Sequence, residues 1–320
     1  MTSILLLGAA HVHLDDHLAM AREHGVTVSH VFDRDADRRE RWCEALDCEP
    51  LESRHALGRT GAAGALVCSE TVHHEADISA ALEAGLPVYT EKPLAGGGPA
   101  ARRLALIARR EGVPLDTGLF LRTQPALQTL RKTIAEGALG AVHEASARFA
   151  HDGGFADWLD VTGWMSDREL AVYGGFGDEA IHALDQLSWL LGSVTGARCQ
   201  LGRALGLELD DHGVARLQIE GGARAILAGG WTDPYLRLSL EIIGADGWAE
   251  VWSGAGGGEA RLYARGEADP RWSGAIAPLN AGEGSRGFFE ALKAGRTPEP
   301  ICPPDAAADL NRVLDWCYGR

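Results

Sequence analysis

No two cysteines in this chain are spaced as Cys-x-x-Cys, although six are present (Cys43, Cys48, Cys68, Cys199, Cys302 and Cys317). The absence argues against a zinc ribbon or a secreted disulfide framework and fits a reducing cytoplasm. Apolar runs of the ~18 residues that span a membrane are missing too. Basic charge is short: 30 lysines and arginines stand against 45 aspartates and glutamates, a formal net charge of −15. Without a basic stripe to offset that balance, nucleic acid is not an expected partner. No basic leader precedes the first apolar strand, so no signal peptide is expected. Repeats and low-complexity blocks are also lacking. What remains is ordinary globular composition, 46% hydrophobic and 23% charged over 320 residues. That length accommodates one large domain or two moderate ones.

The first third alternates strand and helix. Ile4 to Leu7 reads as a buried parallel strand closed by Gly8, and a helix over Asp15 to His24 stops at Gly25. Val26 to Phe32, Ala65 to Cys68, Pro87 to Thr90 and a segment near Leu115 continue the strands. Asp35–Leu46, Glu75–Ala84 and Pro99–Glu111 supply the intervening helices. This order predicts a doubly wound parallel sheet of Rossmann type over residues 1–120. After residue 120 helices at Pro125–Glu136 and near Asp178 give way to consecutive strands: 214–219, 224–231, 237–243, 249–252 and 260–263. Residues 121–320 are therefore expected to form an α+β domain with a largely antiparallel, open sheet. Two late helices, near 288–294 and 305–318, close the chain, and these can pack back on the first domain.

The turn after the first strand reads Gly8-Ala9-Ala10-His11-Val12-His13. A dinucleotide turn of the form Gly-x-Gly-x-x-Gly lets backbone approach the pyrophosphate; here only the first glycine is kept. The strand–turn–helix setting survives, and helix N–H groups can still meet phosphate, with Gly8, Ala10, His11 and Val12 nearest. Asp33 ends the second strand where a carboxylate binds the adenosine ribose, which favours NAD over NADP. Alone, it reads equally well as a helix cap. Arg34 beside it can stack on adenine or meet a phosphate. The same turn admits a rival: His11-x-His13 resembles the opening of a metal-dependent hydrolase site, with His17, His73 and His74 to recruit. Eight strand–helix repeats are not apparent, and no metal is assigned.

Two further clusters carry chemistry. Lys92, in Glu91-Lys92-Pro93, follows a strand end and precedes proline, which biases it towards extended backbone. Its ammonium can donate to a substrate oxygen and stabilise an alkoxide, with Glu91 orienting it. Read singly, it is a surface lysine. Downstream, Gly174-Gly175-Phe176-Gly177-Asp178 leads to His182, so Asp178 and His182 lie four apart on one helical face. An imidazole there can take or return a hydroxyl proton, while Asp178 aligns it or binds a second hydroxyl. Asp185 follows on the same side. The plain structural alternative is an acidic first turn and a buried histidine.

Glu91-Lys92-Pro93, the Asp178/His182/Asp185 cluster, Leu121-Arg122, Gly137-Ala138-Leu139-Gly140 and Gly244-Ala245-Asp246-Gly247 together resemble the glucose–fructose oxidoreductase/inositol dehydrogenase/MocA (Gfo/Idh/MocA) family. The resemblance covers essentially the whole chain. It implies a nicotinamide-dependent dehydrogenase, a Rossmann domain, and a C-terminal domain whose sheet builds oligomers. It also implies Lys92, Asp178 and His182 as the catalytic set, and Ser69, His74 and Glu91 near the nicotinamide ribose. Ala180 departs from the glycine common in that helix. The expected activity is oxidation of a secondary hydroxyl of a sugar, cyclitol or related polyol with NAD. Arg122, Trp158, Trp164 and Trp231 are candidates to line the substrate pocket, although tryptophan is more often core. A redox-neutral enzyme with tightly held NAD and a non-catalytic NAD- or sugar-binding protein remain alternatives.

Overall fold

The computed structural model of the chain describes residues 2–156 and 158–320. It divides into two compact units. One contains the residues up to Phe120 with Glu169–Val172 and Asn280–Asn311; the other contains Leu121–Arg168, Tyr173–Leu279 and Arg312–Arg320.

In the first unit, strands and helices alternate: β1 (Thr2–Ala9), α1 (Leu14–Glu23), β2 (Val26–Phe32), α2 (Ala36–Leu46), the short β3 (Glu49–Pro50), β4 (Ala65–Cys68), α3 (His74–Glu83), β5 (Val88–Thr90), α4 (Gly98–Glu111) and β6 (Leu115–Thr117). The sheet is parallel throughout, in the order β3-β2-β1-β4-β5-β6. Burial on both faces explains why Ile4–Leu7 and Ala65–Cys68 are unbroken apolar runs with no exposed surface. Asp35 caps α2 by accepting from the Arg38 N–H, and Gly112 ends α4 in the left-handed region at φ 66°. The late helix Arg286–Lys293 contributes Phe288, Phe289 and Leu292 to the core around Ile4, Leu6, Leu18 and Tyr89. Strand order reverses between β1 and β4, and ligands of open α/β sheets bind outside the carboxyl ends of the strands at such a reversal.

The second unit has α5 (Pro125–Ala135), β7 (Val142–Ala150), the first residue of α6 (Arg168–Ala171, otherwise part of the first unit), α7 (Gly175–Leu191), β8 (Val194–Gly202), β9 (His212–Ile219), β10 (Arg224–Gly230), β11 (Arg237–Gly244), β12 (Gly247–Gly254), β13 (Gly257–Ala264) and β14 (Trp272–Ile276). The sheet order is β14-β13-β12-β11-β7-β10-β9-β8, antiparallel except where β10 pairs with β7. Three of these strands, β7, β8 and β14, lie outside the strands expected from sequence. β7 reads Val-His-Glu-Ala-Ser-Ala-Arg-Phe-Ala, with little contiguous apolar character. It forms because β11 and β10 flank it and pair its backbone on both sides. Burial alternates along β9 and β11, with one face packed and the other open, which is the pattern of a one-sided antiparallel sheet. Among the described residues, no helix is long and apolar enough to cross a membrane.

Candidate functional site

The first unit gathers its candidate residues at the reversal point. Gly8 ends the straight part of β1 at φ +74°, and a side chain there would collide with Ser69 directly after β4. Glycine is thus required at this place both by dihedral and by clearance. Ala10 and His11 both donate their N–H groups to the Cys68 carbonyl, so the turn is laid across the end of β4. Val12 is exposed at its tip. His13 is the N-cap of α1 and makes no side-chain capping bond. Beneath the turn, Ser69 is fully buried and its Oγ has no hydrogen-bond partner.

Glu91, after β5, is the electrostatic centre of this region. His17 Nε2 lies 2.6 Å and His13 Nδ1 3.2 Å from its Oε1, while His11 Nε2 lies 3.6 Å from Oε2. The Lys92 N–H donates to Oε2 at 3.1 Å. Burial alone would push this carboxyl up; the charges of His11 and His13 and the hydrogen bonds from His13 and His17 outweigh it and hold it well below the usual range. Ser285 Oγ donates its one hydrogen to the Gly282 carbonyl, so it accepts from His17 Nδ1. Through its two ring nitrogens His17 thus bridges Ser285 and Glu91. His11, His13 and Glu91 are close enough together to suggest a metal site. However, His11 Nδ1 is already taken up by the His13 N–H, and each of the three imidazoles turns a ring nitrogen to Glu91. The donor set suits a hydrogen-bonded carboxylate better than a cation.

The other candidates of this unit are placed as follows. Asp33 is buried, and its four acceptor positions take the N–H groups of Ala9 and Asp35 and two bonds from Arg38. Arg38 also reaches Glu70 at 2.6 Å. Arg34 turns away from Asp33 to a paired contact with Asp77 and stands over the Phe32 ring, so it is not held at a phosphate position. His74 is buried, with its ring nitrogens 2.9 Å from the Pro93 carbonyl and 3.0 Å from that of Ser69, which makes it a strut between β4 and the loop after β5. Lys92 is buried rather than a surface lysine, and its bond to Pro93 is cis. A dinucleotide fits the donor set: a glycine turn at the strand reversal, an uncapped helix N-terminus, an orphaned serine hydroxyl and a carboxylate after β2.

In the second unit, α7 carries Asp178 and His182 on one face. The buried Trp231 indole donates to Asp178 Oδ2 at 2.8 Å, and the His182 ring packs against Phe149 with centroids 4.7 Å apart. Two residues beyond Phe149, His151 Nε2 lies 3.3 Å from Glu179 Oε1. Arg122 holds Asp185 in a bidentate pair as short as 2.6 Å, so it serves that carboxylate. Burial raises the Asp185 carboxyl even against the Arg122 charge. Trp158 is exposed, donates to Asp152 and lies beside the His151 ring. Trp164 packs on the small cluster of Leu159, Met165 and Trp231, and so contributes to core.

Family models match both units: "Oxidoreductase family, NAD-binding Rossmann fold" over residues 2–119 and "GFO/IDH/MocA C-terminal domain" over residues 127–250. A myo-inositol dehydrogenase of Streptomyces leeuwenhoekii is 30% identical over 249 residues, covering 75% of this chain and 72% of that protein. The chain belongs to the Gfo/Idh/MocA family of oxidoreductases. Solved structures agree in fold. A levoglucosan dehydrogenase in complex with NADH and L-sorbose superposes with TM-score 0.80 at 15% identity, covering 100% of this chain and 97% of the other. A 3-ketoreductase from Actinomadura kijaniata in complex with NADP gives 0.77 at 21% identity, covering 99% and 97%.

Within this Gfo/Idh/MocA chain, Ala180 packs directly on the strand beneath α7. A side chain at Gly229 of β10 would come within 2.7 Å of the Ala180 Cβ. The Ala180 backbone N and Cα would lie as close, so the strand beneath α7 needs glycine at this place whichever residue occupies position 180. Sequence reasoning passed over Arg38, Glu179 and His151. Arg38 has a local signal, one helical turn into α2 from Asp33. Glu179 and His151 are 28 apart along the chain and meet only because α7 lies on β7.

Proposed function

We propose that the protein is an NAD-dependent dehydrogenase that oxidises a secondary hydroxyl of a sugar, cyclitol or related polyol, or reduces the matching ketone. The observation that carries this reading is α7, where Asp178 and His182 share a face and the Trp231 N–H fixes Asp178. His182 takes the hydroxyl proton as general base. Lys92 donates to the substrate oxygen and stabilises the alkoxide. Asp178 aligns the imidazole or accepts from a second hydroxyl. Bound NAD supplies the hydride acceptor. Gly8, Ala10, His11, Val12 and Ser69 are the residues to hold it.

NAD is preferred over NADP in this reading because Asp33 and Glu70 place two carboxylates after β2 and β4, where a 2′-phosphate would be repelled. Arg38 neutralises part of that charge and must yield to a ribose hydroxyl. Relatives solved with NADH and with NADP make the comparison worth measuring. All six cysteines are free, which supports a cytoplasmic location. The open sheet face exposes Val214, Ile226 and Trp252 (43, 43 and 52%), which supports a homo-oligomer built through that face. Light scattering on Ile226→Glu checks it, with a smaller species expected.

Calorimetric titration with NADH and NADPH, followed by a polyol and sugar screen read at the nicotinamide absorbance, tests the reading. Lys92→Ala is expected to lower kcat by at least about 100-fold with cofactor binding retained. Unchanged turnover in that variant, or net-neutral conversion with cofactor recycled, would replace the dehydrogenase reading.

A further inference from the structure

Gly174, Gly175 and Gly177 open α7, although glycine is a weak helix former and this turn leads directly into Asp178 and His182. Each glycine admits a close neighbour. A side chain at Gly174 would collide with the Asp210 carbonyl and one at Gly175 with the Asp211 carbonyl. One at Gly177 would collide with Tyr173 and crowd the Tyr318 hydroxyl. Gly174 is the N-cap, so the helix has no capping side chain of its own.

The cap comes from distant parts of the chain. A helix leaves its first four N–H groups without intrahelical partners. Here Gly174 and Gly177 both donate to the Tyr318 hydroxyl at 3.0 Å, Gly175 donates to the Asp210 carbonyl at 2.7 Å, and Phe176 donates to Asp210 Oδ2 at 2.9 Å. The Tyr318 hydroxyl closes the set by donating to the same Oδ2 at 3.0 Å. The next residue along from Asp210 reaches the other restraint on Asp178. The Asp211 carbonyl accepts the Trp231 N–H at 2.8 Å, and the Trp231 indole donates to Asp178. We propose that Tyr318 is a positioning residue: through Asp210 and the first turn of α7, its hydroxyl sets the place of Asp178 and His182. The proposal rests on the dehydrogenase reading above.

The hydroxyl is used in full, with one hydrogen given and two accepted. Burial pushes the Tyr318 phenol up, so it keeps its hydrogen and the direction of its bond to Asp210 is fixed. Asp178 is the first residue of α7 whose N–H bonds within the helix, to the Gly174 carbonyl at 2.9 Å. Its place therefore follows that of the glycine turn. Without the hydroxyl, two N–H groups of the turn lose their acceptor, and a turn with glycine at 174, 175 and 177 has little else to stiffen it. A misplacement of about 1 Å at reacting groups is enough to cost about 100-fold in rate. Tyr173 provides the internal comparison, since its hydroxyl bonds to Asp315 at 2.7 Å and the N–H groups of the turn are taken up by Tyr318 and Asp210.

The test is steady-state turnover of the full chain with NAD and the substrate that the polyol and sugar screen returns, at a temperature where melting curves show each variant folded. Tyr318→Phe and Asp210→Ala should lower kcat by about 10- to 100-fold with the Kd for NADH unchanged. Asp210→Asn keeps an acceptor for Phe176 and Tyr318 and should retain most of the rate. Tyr173→Phe spares the cap and should turn over as the wild type does. Amide hydrogen exchange reads the cap directly, and residues 174–177 should exchange faster in Tyr318→Phe. A wild-type kcat in folded Tyr318→Phe overturns the proposal, whatever its melting temperature. Unchanged exchange at 174–177 overturns it too, as does an equal loss of rate in Tyr173→Phe. Those results leave the dehydrogenase reading standing. A wild type for which the screen returns no substrate overturns both.

Discussion

Glu91 in the first unit and Asp185 in the second are both carboxylates without appreciable exposure, yet their surroundings move them in opposite directions. Glu91 collects three imidazoles and a backbone N–H, and together these overcome the cost of burial. Asp185 meets the Arg122 guanidinium in good geometry and the Gln186 amide at 3.2 Å, and desolvation still has the larger effect. A buried carboxylate is thus held ionised by the sum of its donors, and one ion pair, however short, offsets only part of the loss of water. The two units use their polar groups accordingly. In the first, a charged net fixes the turn where a ligand is expected; in the second, Arg122–Asp185 braces α5's entry against α7, and close packing against β10 does the rest.

The comparison breaks most sharply at Asp185. Asp185→Ala leaves Arg122 buried without its carboxylate and should cost about 3–5 kcal/mol in denaturant unfolding. A loss below about 1 kcal/mol would mean that Arg122 finds water or another acceptor.

Glu91→Gln is expected to cost less, about 1.5–3 kcal/mol at neutral pH, since the amide oxygen still accepts. Its pH dependence distinguishes it. The folded value of Glu91 lies below the unfolded one, so its contribution is present above the unfolded value of about 4.3 and is lost as pH falls through the folded value. Melting curves of wild type and Glu91→Gln should therefore converge in acid. Parallel curves down to pH 3 would show that the ionised carboxylate adds nothing.

Packing in the second unit is probed by Gly229→Ala, whose new methyl meets Ala180. The expected cost is about 1–3 kcal/mol, and because the Ala180 backbone lies as close as its methyl, Ala180→Gly in the same chain should recover little of it. A large recovery would show that the methyl, and not the helix backbone, sets the clash. The smallest effect belongs to Arg34→Ala. Arg34 is partly exposed and Arg54 still reaches the buried Asp77 at 3.2 Å, so the cost should be about 1 kcal/mol, with NADH affinity unchanged. A large loss of NADH affinity would return Arg34 to the cofactor.

Much of the architecture was legible in linear sequence. β2 and β4 were read with the bounds observed: β4 is apolar and buried at every position, and β2 sets buried Val26 and Val28 around the exposed Thr27 before closing on the buried Val31 and Phe32. β7, β8 and β14 were not, since a strand on a half-open sheet needs only alternate apolar residues, and these contain glycine, alanine and charge where the signal should be. At the candidate site, Asp178 and His182 could be paired from spacing because a helix brings i and i+4 together. His151 with Glu179 and His17 with Glu91 could not, as no local periodicity links residues so far apart.

The sequence by itself determined which residues could do chemistry, where the strands of the parallel sheet run, and the family to which the chain belongs. Those follow from local rules: periodicity, capping, turn residues and motif spacing. Only the tertiary structure decided how each polar group is spent. Three histidines converge on Glu91, Arg38 closes on Asp33, and Arg122 is committed to Asp185. The physical reason is that charge, burial and hydrogen-bond capacity are properties of neighbours in space, and the chain names those neighbours only after it has folded.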